Sequence, residues 1–82
     1  MNREWVSYQL GEASEELTRT IEEIRNREDY DVGELMVAMM HMYLHLNTAW
    51  NARDASPEDI ADMSQETFKL WSQYPSDLPR TE

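Results

Sequence analysis

The feature that most constrains the fold is a long apolar stretch in the middle of the chain, from Val32 to Arg53. Its apolar residues recur at intervals of three and four positions, which is the periodicity of one side of an α-helix. We therefore predict a central helix at 32–53 whose apolar row forms the core of the protein. This row consists of Val32, Met36, Met39, Tyr43, Leu46 and Trp50.

The start of the central helix is marked by Asp31 and Glu34. Aspartate is a preferred N-cap residue, and an acid three positions later can bond back to the backbone of the cap, as in a capping box. Tyr30 and Leu35 occupy the flanking positions of a hydrophobic staple. The helix is therefore expected to begin directly after Asp31.

A second apolar face is present on the same helix. Because successive residues of a helix are rotated by about 100°, Val37, Met40 and Leu44 lie on a different side of the helix from the row that contains Met39. A helix that is apolar on two sides needs two packing partners. Between these faces lies a narrow, more polar strip, expected at the surface or in an interface, which holds Glu34, Ala38, His41, His45, Thr48 and Ala52.

Two amphipathic segments flank the central helix. The first, predicted at 3–27, carries a narrow apolar stripe opposite a row of acids, and the short polar connection 26–30 predicts that it runs antiparallel to the central helix. Its stripe consists of Val6, Leu10, Ala13, Leu17, Ile21 and Ile24. The second begins at Ser56 and Pro57, a cap followed by proline in the first turn, which predicts a helix at 57–73. Pro75 ends it, and 75–82 is expected to be a tail without periodicity.

These elements predict a single all-helical domain over 1–82, a small three-helix up-down bundle or hairpin around a central apolar helix. The flanking helices each offer only one stripe, which leaves the second face of the central helix uncovered. We expect a second copy of the chain to cover that face about a two-fold axis, so that dimerisation completes the fold. The predicted interface comprises Val37, Met40, His41, Leu44 and His45.

The composition excludes several classes of function. The chain has 17 acidic and 7 basic residues and a net charge of −10, which argues against direct binding to nucleic acid or to an anionic membrane. It contains no cysteine, so neither a disulfide nor a zinc–thiolate site is available. No stretch resembles a signal peptide or a membrane span, and a cytoplasmic location is expected.

His41 and His45 are the first candidates for chemistry, because residues one helical turn apart can bind the same metal ion. However, no glutamate follows His41, as the zinc-protease motif requires, and no Glu-x-x-His pair is present. The alternative interpretation, two polar residues on the least apolar strip of the helix, is the one that we favour. No metal or other cofactor is therefore predicted.

A second candidate is the acidic pair Glu12 and Glu15, in the sequence GEASEEL. Over about a dozen residues this segment resembles the MazG-type all-α nucleotide pyrophosphatases, whose metal site starts with a Glu-x-x-Glu motif. The resemblance implies a second motif, Glu-x-x-Asp, near Glu34, but Val37 stands where its carboxylate is needed. A metal site of this kind would consist of Glu12, Glu15 and Glu34 with the two histidines.

The favoured prediction is a small, acidic, non-enzymatic interaction module that acts as a homodimer and that docks a basic or amphipathic protein partner. No nucleophile–base pair or phosphate-binding loop is recognisable, so no catalytic residue is predicted. Two alternatives remain open. One is a metal-dependent hydrolase of the MazG-like kind with a degenerate carboxylate site, and the other is an acidic mimic of nucleic acid.

Overall fold

The structure, a computed structural model, describes residues 1–79, which form four α-helices and contain no strand. They are α1 (Arg3–Asn26), α2 (Val32–Asn51), α3 (Pro57–Ala61) and α4 (Gln65–Ser72). The prediction of an all-helical chain is confirmed. Of the predicted tail, 75–79 contain no helix, and 80–82 lie outside the described residues.

Helices α1 and α2 form an antiparallel hairpin that makes up most of the structure. Gln9, near the start of α1, bonds to His45 near the end of α2, and Arg27, just after α1, bonds to Glu34 in the first turn of α2. The open end is closed by Asn2, whose backbone N–H donates to the carbonyl of Arg53 at 2.6 Å. The two long helices therefore lie side by side over most of their length.

The start of α2 matches the capping box expected from the sequence. The carboxylate of Asp31 accepts a hydrogen bond from the backbone N–H of Glu34 at 2.9 Å, and the Glu34 carboxylate accepts one from the backbone N–H of Asp31 at 3.3 Å. Two backbone donors that have no partner within the helix are thereby satisfied. Ser56 and Asp59 form the same reciprocal arrangement at the start of α3.

The predicted helix at 57–73 is divided into two short helices. Asp62 caps the C-terminus of α3, and the hydroxyl of Ser64 accepts a hydrogen bond from the backbone N–H of Thr67 at the start of α4. Serine competes with the helix for backbone hydrogen bonds and favours a cap over an interior position. Because Ser64 begins a new helix, the chain turns after Ala61 and the predicted three-helix arrangement becomes one of four helices.

The contact line between α1 and α2 is made from small and polar residues. Ala13 and Thr20 of α1 are buried, as are Ala38 and Ala49 of α2. Among residues 1–79, no large side chain is less than 2% exposed, and Met42 is the only large apolar residue counted as buried. The single chain therefore has a core made mostly of alanine.

The prediction that the central apolar row forms the core does not match the burial in the single chain. Trp50 is half-buried, whereas the other five residues are exposed, up to 81% at Val32. The exposed five are Val32, Met36, Met39, Tyr43 and Leu46. The physical reason is that the polar strip of α2 meets α1. His45 bonds there to the buried Gln9, and small buried residues such as Ala38 let the helices approach closely, so the apolar row lies outside.

Helix α4 packs against α2 and is held there by two asparagines. The side-chain amide of Asn47 donates to the carbonyl of Ser72 at 2.9 Å, and that of Asn51 donates to the carbonyls of Trp71 and Gln73 at 2.8 and 2.7 Å. The last carbonyls of a helix have no partner within it. The asparagines supply those partners and thereby fix the end of α4 beside α2.

None of the helices formed by residues 1–79 is both long enough and apolar enough to cross a membrane.

Removal of the α2 cap provides a test of this architecture. Asp31→Ala is expected to lower the free energy of unfolding by about 0.5–2 kcal/mol, because a backbone donor at the start of α2 loses its partner. Urea denaturation followed by circular dichroism measures this change. Ser56→Ala is expected to cost less, since it caps only the five-residue α3. Equal midpoints for Asp31→Ala and the exposed control Glu28→Ala would contradict the assignment of the cap.

Candidate interaction surface

The apolar side chains of α1 lie on one flank of its contact line with α2. The buried row of α1 runs through Gln9, Ala13 and Thr20. At about 100° per residue, Leu10, Leu17, Ile21 and Ile24 all lie on the same rotational side of this row. Each of these four side chains remains between 40% and 50% exposed. They form a continuous apolar stripe that the rest of residues 1–79 leaves about half exposed.

The apolar row of α2 lies on the same side of the hairpin. In two antiparallel helices, residues that are rotated in the same direction from the line of contact lie on the same side of the pair. Met39 and Leu46 of α2 are rotated from this line in the same direction as the apolar stripe of α1. We call this surface the hairpin face and define it by Leu10, Leu17, Ile21, Ile24, Met39 and Leu46, which are 38–50% exposed. Met36 and Tyr43 lie further round α2, in a groove that Met39 shares with Met40 and Leu44.

The opposite side of the hairpin is polar. It contains an open cleft of about 560 Å³ whose walls carry Glu16 and Glu23 from α1 and Glu34, Val37 and His41 from α2. The Arg27 guanidinium donates to both oxygens of Glu34, at 2.9 and 3.2 Å, and to Glu23 at 3.1 Å. The acids of this cleft therefore lie on a different side from the hairpin face, although the exposed Val37 lies among them.

The five residues of the predicted dimer interface do not form one open surface. Val37 and His41 line the polar cleft, whereas Met40 and Leu44 line a groove beside Ser72 at the edge of α4, together with Met36, Met39 and Tyr43. His45 is half-buried against α1. Helix α4 occupies part of the space that a second chain was expected to fill, so the outer side of α2 offers a smaller free surface than the sequence predicts.

The two histidines have different environments. His45 Nδ1 lies 2.8 Å from the side-chain oxygen of Gln9, a residue that is only 5% exposed. His41 Nδ1 lies 3.4 Å from a carboxylate oxygen of Glu16, and its own side chain is 61% exposed. His45 therefore satisfies a buried polar group inside the hairpin, whereas His41 sits at the surface of the cleft.

The candidate metal ligands are not brought together. Glu12 and Glu15 lie in the first half of α1, near the open end of the hairpin, whereas Glu34 lies at the other end, where it bonds to Arg27. Among residues 1–79, no three histidines, cysteines or acids are grouped closely enough to hold a metal ion. The described part of the chain therefore contains no carboxylate cluster of the kind that a MazG-like site requires.

A segment that the sequence analysis treated as a tail returns to α2. The indole N–H of Trp50 donates to the Asp77 carboxylate at 2.9 Å, and the Arg53 guanidinium lies 3.6 Å from the same carboxylate and stacks over the Trp50 ring. The hydrogen bond from Trp50 and the nearby charge of Arg53 lower the pKa of Asp77 below its ordinary value. This contact explains why Trp50 is half-buried at the end of the apolar row.

With this geometry established, comparisons with known proteins add no family: no family model, no curated protein and no solved structure matches the chain.

The hairpin face was not predicted from the sequence. The polar residues that meet between α1 and α2 pair in reverse order, with Gln9 beside His45 and Glu16 beside His41. Because α1 carries many other polar residues, the sequence does not single out these pairs before the two helices are placed side by side.

Substitution of each histidine compares the contribution of a buried contact to stability with that of a surface contact. His45→Ala is expected to lower the free energy of unfolding by about 1–3 kcal/mol, because the buried amide of Gln9 loses its partner. His41→Ala is the matched control and is expected to cost less than about 1 kcal/mol, since its contact with Glu16 is exposed. Equal losses in urea denaturation would contradict the assigned roles.

Acidification tests the contact between Trp50 and Asp77. Because the pKa of Asp77 is lowered in the folded chain, the contact contributes stability above the ordinary aspartate pKa and loses it as the pH falls through the lowered value. The fluorescence of Trp50 is expected to change in that acidic range. Asp77→Asn is expected to remove this transition, with Trp5→Phe and Trp71→Phe as the background that isolates Trp50.

Proposed function

We propose that the chain is a non-enzymatic protein-interaction module that acts as a homodimer. The observation that carries this proposal is the inverted distribution of side chains: the buried interior is mostly alanine, while large apolar side chains of both long helices remain exposed. A chain of this size has little apolar surface to spare for a stable core. Association through the exposed side chains supplies the burial that the single chain lacks.

The extent of the exposed apolar surface supports an interface rather than scattered surface residues. Single exposed apolar residues are common on soluble proteins and need no explanation. A contiguous patch that extends over two helices is typical of a contact surface. The exposed residues of the hairpin meet this description, since they lie side by side on one flank of α1 and one flank of α2.

The acidic surface defines the class of further partner that the dimer would bind. The chain carries a net charge of −10, and the polar side of the hairpin holds Glu16, Glu23 and Glu34. Such a surface attracts basic proteins and repels nucleic acids and anionic membranes. We therefore propose a basic or amphipathic protein partner and a cytoplasmic location, which a fluorescent fusion would test.

Measurement of the molar mass tests the proposal directly. Light scattering coupled to gel filtration, at micromolar concentration and moderate salt, is expected to give about twice the chain mass of 9.7 kDa. The melting temperature is expected to rise with protein concentration, because association stabilises the folded chain by mass action. A mass of 9.7 kDa together with a concentration-independent melting temperature would overturn the homodimer.

A further inference from the structure

We propose that the second copy of the chain docks on the hairpin face, so that the two hairpins pack face to face as a four-helix bundle. This inference rests on the proposed homodimer and specifies which surface forms it. The contact would involve α1 and α2 of each copy equally. It differs from the sequence-based interface on the outer side of α2, which contains Met40 and Leu44.

The size of the hairpin face fits what a stable dimer needs. Its six defining residues are each 38–50% exposed. At roughly 80 Å² for each half-exposed large side chain, the six present on the order of 500 Å² of apolar surface. A standard interface buries about 800 Å² on each partner, of which somewhat more than half is apolar. The hairpin face is therefore large enough to hold two copies together.

The outer side of α2 is smaller by the same measure. Val37 and Met40 are exposed on this side, and the exposed Met36 and Tyr43 share the groove that Met40 lines, whereas Leu44 is half-buried beside α4. Val37 also lies towards the polar cleft, next to Glu34 and His41. With all four exposed residues counted, this side offers roughly two thirds of the apolar area of the six-residue hairpin face, which is below the apolar area of a standard interface.

The charge distribution favours a second copy as the occupant. Two chains of net charge −10 repel each other unless their acids are kept away from the contact. The helical positions that border the hairpin face on α1 are Ser7, Ser14, Thr18 and Arg25, and on α2 the border continues through Asn47. None of these residues is acidic. The chain's own acidic surface can therefore remain on the outside of the bundle.

A foreign basic partner fits this face less well, because the acid at its end, Asp77, is already bonded to Trp50 and lies beside Arg53. The two occupants also respond to salt in opposite ways. Screening weakens the attraction of a basic partner to an acidic surface, whereas it reduces the repulsion between two acidic copies. Dimerisation through the hairpin face is therefore expected to tighten as the salt concentration rises.

Two neighbouring methionines allow the test to be made on the wild-type protein. Met39 belongs to the hairpin face, and Met40, which is 61% exposed, lies about 100° further round α2. Both methionines border the groove beside Ser72. Peroxide converts accessible methionine to its sulfoxide, and tandem mass spectrometry resolves the two sites. As the protein concentration rises and dimers form, oxidation of Met39 is expected to slow several-fold, while that of Met40 stays unchanged.

A pair of matched variants provides the second measurement. Leu17→Glu places two charges in the proposed contact and is expected to give a mass of 9.7 kDa with α-helical circular dichroism retained. Met40→Glu introduces the same charge on the outer side of α2 and is expected to leave the dimer intact. If Leu17→Glu does not fold, the methionine measurement on the wild-type protein decides.

The possible outcomes separate the two levels of the proposal. A dimer in which Met40 rather than Met39 is protected would overturn the hairpin face and restore the interface predicted from the sequence. A dimer in which neither methionine is protected would overturn it in favour of another surface. A wild-type mass of 9.7 kDa at all concentrations would overturn the homodimer itself and leave the hairpin face to a foreign protein.

Discussion

The polar pairing between α1 and α2 is the constraint on which the rest of the structure depends. The hydrogen bond between His45 and the buried Gln9 lies on the line where the two helices meet, and the exposed contact between Glu16 and His41 lies at its margin. Alanine and threonine fill the line between these pairs, so the helices meet without a large apolar contact. Once this line is fixed, rotation about each helix axis is no longer free. Every other side chain then has an assigned position relative to it.

The exposure of the apolar residues follows from that geometry. Leu17 and Ile21 on α1 and Met39 and Leu46 on α2 lie on the same flank, because antiparallel helices place equivalent rotations on the same side. The acids of α1 lie on the other flank, where Arg27 links Glu23 to Glu34. One hairpin therefore presents an apolar side and a charged side. The combination is suited to a protein that associates with itself and keeps an acidic exterior.

The sequence predicts local structure well here, but it does not predict how the helices face one another. The caps at Asp31 and Ser56 act through residues three positions away, so their signal is contained in a few letters. The cap at Ser64 is of the same kind, but it lies within a segment whose apolar residues keep a helical spacing throughout. The division of 57–73 into two helices was therefore not predicted. The orientation of α2 depends on residues of α1 that are distant in the chain. Hydrophobic periodicity alone assigns the more apolar side of α2 to the interior. In the structure the interior side of α2 is instead the polar strip, where His45 bonds to Gln9.

The small residues buried between α1 and α2 also determine the shape of the hairpin face, although they are not part of it. A larger side chain at Ala38 or Ala49 would force the two helices apart, because the closely packed line has little free volume to absorb it. The leucine and isoleucine row of α1 would then move away from the methionine row of α2. The curvature of the shared face would change, and with it the fit of any molecule that covers it. Alanine at these positions therefore acts as a spacer that sets the shape of the outer surface.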